Sequence, residues 1–167
     1  SSSAASDEYK RQVESPSKIP KIKKALGSDF IVTASFGHVR DLEKNELGIN
    51  VNKNFEPNYI VSPDKKKIVS ELKQLGKNCK KVWLASDYDR EGESIAWHLF
   101  QVMGLKKEKT HRTVFTEITP KALQNAIKNP TDIDINMFYS QQARRVIDRL
   151  IGYLITPVLW KNFHSSF

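Results

Sequence analysis

A single cysteine, Cys79, occurs in 167 residues, so no disulfide can close within the chain. It stands between Asn78 and Lys80 in what reads as a polar loop, where it is structurally incidental. No apolar run approaches the length of a membrane span, and no N-terminal stretch has a signal-peptide core. The expectation is a soluble, intracellular chain with no membrane partner. No internal repeat is present. Acidic residues are in deficit, 19 against 27 lysines and arginines, which leaves a net charge of +8 and a pI near 9.5. That balance suits a polyanion such as nucleic acid. The lysines are scattered, however (Lys65–Lys67, Lys80 and Lys81, Lys106 and Lys107), and ordinary solvated faces account for them too. The length leaves room for one modest domain and part of another.

What the chain does have is concentrated in one stretch. Val82 to Ala85 is a short apolar run, the pattern of a strand buried on both faces of a parallel sheet. Asp87, Asp89 and Glu91 follow, two residues apart. A helical pattern then carries Ile95, Leu99 and Val102/Met103 on one stripe, with Gly104 as its stop. The acids therefore sit where a strand hands over to a helix, the edge at which open α/β sheets bind ligands.

Three carboxylates this close repel one another. At ~4 Å and an effective dielectric of ~20, each like-charged pair costs on the order of 4 kcal/mol. Protonation, pairing with Arg90 or a bound cation would each relieve the strain. A hard divalent ion with oxygen ligands, Mg²⁺ above all, suits an all-carboxylate site; the alternative is a solvated acidic turn. An EF-hand loop also begins D-x-D-x-E-G, but its twelfth residue must be a bidentate Glu and here it is His98. An Asp-x-Asp after a strand also resembles the haloacid-dehalogenase phosphatases, although that family prefers Thr or Val where Glu91 stands.

Along the rest of the chain, residues 1–7 read as a small polar tail. Tyr9 to Val13 is too polar, with Lys10, Arg11 and Gln12, for a well-tolerated buried strand. Ser17 is placed to cap a helix running to Leu26, with Ile19, Ile22 and Leu26 inward and Gly27 as the stop. Glu14 precedes that helix start, where backbone amides favour an anion such as phosphate. Phe30 to Phe36 reads as a strand ending in a loop that carries His38 and Arg40, and residues 43–58 as an irregular loop. Asp64 is placed to cap a helix to Leu75 closed by Gly76, and Thr113 to Phe115 is a further strand. Thr119-Pro120 starts a helix that runs to about Lys128. From Ile135 to Ile155, Ala143, Val146, Ile147, Leu150, Ile151 and Leu154 mark a long amphipathic helix. Arg144, Arg145, Asp148 and Arg149 lie off that stripe, with Arg144 and Asp148 spaced to pair. Their face reads either as a surface ion pair or as a phosphate- or base-contacting surface. Tyr153 and Trp160 are placed to stack on bases or to fill core. Alternating strands and helices up to about Phe115 predict a small α/β domain with a mainly parallel sheet, followed by a helical segment of a second unit.

Taken together, the blocks V-E-S-P-S-K (Val13–Lys18), G-H-V-R-D-L (Gly37–Leu42), D-Y-D-R-E-G-E-S-I-A-W-H (Asp87–His98), F-T-E-I-T (Phe115–Thr119), Q-Q-A-R-R-V-I-D-R (Gln141–Arg149) and G-Y-L-I-T-P-V-L-W (Gly152–Trp160) resemble, in order, the N-terminal part of type IA DNA topoisomerases of the bacterial topoisomerase I kind. The resemblance implies a TOPRIM (Rossmann-like) fold over residues 8–118, a small parallel sheet flanked by helices. It implies the start of a helical DNA-binding domain over 119–167. It implies a Mg²⁺ site at Glu14, Asp87, Asp89 and Glu91, and catalytic roles for Glu14, Lys18 and Arg90. By the same resemblance His38, Arg144, Arg145, Asp148, Tyr153 and Trp160 contact single-stranded DNA within negatively supercoiled duplex.

The implied activity is ATP-independent relaxation through a 5′-phosphotyrosine link, strand passage and religation, in the cytoplasm and on the nucleoid if the source is bacterial. No block matches the surroundings of the family's nucleophilic tyrosine. The chain alone is therefore expected to be inactive and to work with the remaining domains of its polypeptide. Two other readings stand beside this one: another TOPRIM enzyme, a nuclease or primase, and a non-catalytic DNA-binding module.

Overall fold

The computed structural model describes residues 9–13, 16–155 and 157. Its centre is a four-stranded parallel sheet of β1 (Tyr9–Val13), β2 (Phe30–Ala34), β7 (Val82–Ala85) and β8 (Thr110–Thr113), in the order β2-β1-β7-β8. β1 is thus a central strand, paired from Tyr9 to Val13 with β2 and from Lys10 to Val13 with β7. The polar sequence misleads here: the strand is paired through its backbone on both sides.

From the adjacent β1 and β7 the chain winds outward in opposite directions, to β2 and to β8. The crevice between their C-terminal ends is therefore the switch point at which such sheets bind ligands. Val13, the residue before Glu14, pairs with Ala85, the residue before Ser86. Glu14 itself lies outside the described residues, as does Trp160.

Helices cover both faces. α1 (Ile19–Leu26) and α4 (Pro120–Lys128) pack together over Val32, with Ile22 and Leu123 fully buried. α2 (Lys66–Asn78) and α3 (Arg90–Val102) enclose the other core around Leu72, Val82, Leu84, Ile95 and Leu99. All four residues of β7 are buried, as its unbroken apolar run predicts: Val82 and Leu84 join that core, and Trp83 meets Phe30 and His111. Short ladders, β3 (Arg40–Leu42) with β6 (Tyr59–Val61) and β4 (Ile49–Asn50) with β5 (Glu56–Pro57), occupy much of the segment expected to be irregular. The long α5 (Ile135–Leu154) lies along α3.

Several local expectations give way to tertiary packing. α1 begins at Ile19 after a 3₁₀ turn, Pro16–Lys18, and neither it nor α2 has a side-chain cap at its start. Asp64 lies in a 3₁₀ turn before α2. Gly76 does not end α2; it lies inside the helix, where a Cβ would meet the Met103 methyl at 2.9 Å. Cys79 is buried in the core. The last sheet strand is Thr110–Thr113, ahead of the segment predicted. On α5, Phe138 and Val146 are buried while Ile147, Ile151 and Leu154 remain about half exposed. Among the described residues no helix is long and apolar enough to cross a membrane.

Candidate active site at the sheet edge

The acidic stretch is shaped by the start of α3. Asp89 has extended backbone and is the N-cap: its Oδ1 accepts from the Gly92 amide at 2.6 Å. Ser86 Oγ donates to the Gly92 carbonyl at 2.7 Å. The loop folds so tightly onto the helix that a Cβ on Gly92 would stand 2.0 Å from the Asp87 carbonyl oxygen. Asp87, Asp89, Arg90 and Glu91 are all left exposed.

Beneath them lies a fully buried ion pair that sequence reasoning missed. Arg112 on β8 and Glu93 on α3 are each 1 % exposed. Arg112 Nε and Nη2 reach Glu93 Oε1 at 2.8 and 2.7 Å. The same guanidinium donates to the carbonyls of Leu84, Thr113 and Asp87, and Glu93 Oε2 accepts from the Asp134 amide at the start of α5. Every polar group of the pair is thereby engaged, the condition under which buried charge is tolerated.

Above the junction opens a cleft of about 560 Å³. Asp89, Arg90 and Glu91 form one wall; His38, Arg40 and Asp41 come from the β2–β3 segment, and Arg144, Arg145 and Asp148 from α5. Residues far apart in sequence are thus brought together as acidic and basic groups lining one cleft. Glu91 is held from two sides, by His38 Nε2 and by Gln141 Nε2, and Ser94 Oγ donates to the same Gln141 at 3.1 Å.

The arginines divide. Arg145 grips Asp41 with two hydrogen bonds of 3.0 and 2.7 Å, and Arg149 donates to the carbonyls of Glu43 and Glu46. Burial works against ionising Asp41, but the Arg145 fork, the Leu42 amide and the charges of Arg145 and Arg149 outweigh it and hold its carboxyl below the ordinary range. The bond to Asp41 in turn raises the Arg145 guanidinium, against burial. Arg144 makes no hydrogen bond or ion pair among the described residues. The expected Arg144–Asp148 pair is not formed; both residues line the cleft.

Other predicted positions fall outside the cleft lining. Asp87 is exposed beside it, Lys18 is exposed at the end of its 3₁₀ turn, and Tyr153 stands under the Arg149 guanidinium at 5.8 Å. Among the described residues no three carboxylate, imidazole or thiol groups converge as a ready-made metal site. Glu14 is not among them.

The floor of the cleft is a second missed feature. His98 is buried, accepts from Arg40 Nε on its Nδ1 at 2.6 Å and meets the Tyr59 ring edge-on at 4.5 Å. Arg40 also donates to Gln101 and lies over the Tyr59 ring. Burial, then the charges of Arg40 and His38, push the imidazole down to about 3. Burial pushes the Tyr59 phenol up to about 12.

His98 stays neutral in the fold, whereas the unfolded chain takes up this proton below about 6.5. Its stabilisation is complete above that pH and is lost progressively as pH falls from 6.5 toward 3. Between pH 7 and 5 the loss should be on the order of 2 kcal/mol. Urea unfolding of the parent and of His98→Asn at both pH values checks it: the parent should fall more steeply, and parallel curves would refute the assignment.

The sheet order, with its acids at the switch point, defines a Toprim domain: the Toprim family model matches residues 13–118, and the chain belongs to that family. The chain is also similar to full-length topoisomerase I from Thermotoga maritima, with 45% sequence identity and a TM-score of 0.84 over 90% of this chain. It spans 26% of that protein's length.

Proposed function

We propose that this chain is the Toprim part of a type IA DNA topoisomerase, working with other domains of its polypeptide. The parent enzyme relaxes negatively supercoiled DNA by cleaving one strand through a 5′-phosphotyrosine link, passing a strand and religating. On this reading the Toprim part ends near residue 118, α4 and α5 begin the helical DNA-binding domain, and the protein works in the cytoplasm. The observation that carries it is the cleft in which Asp89, Arg90 and Glu91 face Arg144, Arg145 and His38. Carboxylates for a cation and free guanidinium for phosphate are what phosphoryl transfer to and from DNA demands.

The donor set, Asp87, Asp89, Glu91 and Glu14, is all hard oxygen, which fits Mg²⁺. When bound there, the ion would neutralise charge developing on the transferring phosphate. The chain's own residues orient the strand. Arg144, unpaired among the described residues, meets a phosphate; Arg145, fixed by Asp41, gives the wall its shape. His38 and Gln141 keep Glu91 turned into the cleft. The Tyr59 phenol, buried and raised to about 12, is unsuited to attack. The nucleophilic tyrosine belongs to another domain.

Two measurements test this. Asp87→Asn with Asp89→Asn should abolish Mg²⁺ binding by calorimetry. Arg144→Ala should weaken single-stranded DNA binding and lower the log K–log salt slope by roughly 0.7 to 1. Unchanged Mg²⁺ affinity would dispose of the metal role, and an unchanged slope would dispose of the phosphate contact.

A further inference from the structure

We propose that Phe36 is a stacking platform for one unpaired nucleobase, set at the C-terminal edge of the sheet beside the cleft; this rests on the reading that the cleft takes single-stranded DNA. β2 ends at the buried Ala34, the buried Ser35 follows it, and the next residue turns sharply outward. Phe36 has a φ of 56° and is 52 % exposed. A bulky aromatic residue in the left-handed region is an outlier that the surroundings must enforce.

The enforcing group comes from another element. Lys65, in the turn before α2, donates from Nζ to the Phe36 carbonyl at 2.8 Å, and the same ammonium lies 5.9 Å from the ring centroid. The other left-handed non-glycine residues, Asn54 and Phe55, differ in kind. They lie between β4 and β5, where a local bond from the Glu56 amide to the Lys53 carbonyl closes the turn. Phe36 is held by no local turn bond among the described residues, and it belongs to none of the buried clusters.

An exposed ring in an unfavourable backbone serves neither packing nor solubility. Its place says what it serves. His38, two residues on, lines the cleft and touches Glu91. Lys66 and Lys67 continue from Lys65 and are exposed. An exposed aromatic ring with a cation held against it is an arrangement on which single-stranded bases stack while their phosphates are neutralised. A base inside a duplex is already stacked on its neighbours, so the platform selects unpaired DNA.

The test uses the 167-residue chain and a short single-stranded oligonucleotide bearing one 2-aminopurine, read by fluorescence quenching and anisotropy. Phe36→Asn retains the left-handed backbone, since asparagine tolerates it; its melting temperature should stay level or rise. Affinity should fall about tenfold, within the range that alanine substitution of a stacking aromatic gives. Quenching should disappear, and the salt slope should not change because no phosphate contact is lost. Phe36→Tyr should keep both affinity and quenching. Unchanged affinity and quenching in Phe36→Asn would overturn the platform alone. Failure of the parent chain to bind the oligonucleotide at all would overturn the functional reading and the platform with it.

Discussion

Replacing Arg112 by methionine is expected to destabilise the protein by about 3–5 kcal/mol, the usual consequence of leaving one buried charge without its partner. A domain of this size has a total stability of about 5–15 kcal/mol. The melting temperature should therefore fall by roughly 6–20 °C. Glu93 would be stranded at 1 % exposure, and the carbonyls of Leu84, Thr113 and Asp87 would lose their donor. The usual remedy, replacing both charges by apolar residues, should fail in this setting. A Glu93→Met, Arg112→Met variant still takes the acceptor from the Asp134 amide and the guanidinium from the carbonyls of Leu84, Thr113 and Asp87. Calorimetric unfolding of the single and double variants decides it. A double variant as stable as the parent would show that the pair is an ordinary removable salt bridge.

Gly92→Ala should be damaging although alanine is the better helix former by about 1 kcal/mol. The added methyl would meet the Asp87 carbonyl oxygen at 2.0 Å, with the Asp87 carbon and nitrogen at 3.0 and 3.1 Å. These are backbone atoms, held from the far side by Arg112 and braced by the Asp89 cap. No rotamer change relieves the clash, so the loop carrying Asp87 and Asp89 must shift. The expected loss is about 2–3 kcal/mol, together with weaker Mg²⁺ binding and unchanged helix content by circular dichroism. A variant with the parent's stability and Mg²⁺ affinity would rule out the close approach.

The helices and the strands β2 and β7 were legible because they obey simple periodicities, and the acidic junction because strand, acids and helix are consecutive; β1 and the short ladders were not. What was not legible depends on partners far apart in sequence. Arg112 looks like a polar residue in a short strand, and nothing local announces that it meets Glu93. Asp89 reads as a cation ligand, and its capping bond to Gly92 emerges only with the helix start in view. Arg144 and Asp148 have ideal spacing and do not pair, while Arg145, which no spacing rule singled out, grips Asp41 from 104 residues away. Asp41, Arg40, Gln141 and His98 all lay within the blocks that carried the family resemblance, so the signal for them existed at block level without assigning any contact. Cys79 shows the reverse error: polar neighbours in sequence said nothing of the core that closes over it.

Glu93 clasps the first turn of α5 through the Asp134 amide while Arg112 anchors it to β8 and β7. Sheet, acidic loop and basic helix are therefore bolted together like the jaws of a fixed wrench, and spreading them would tear a charge-assisted bond. If this portion meets a DNA strand, as proposed, it does so as a stationary anvil and not as a hinge.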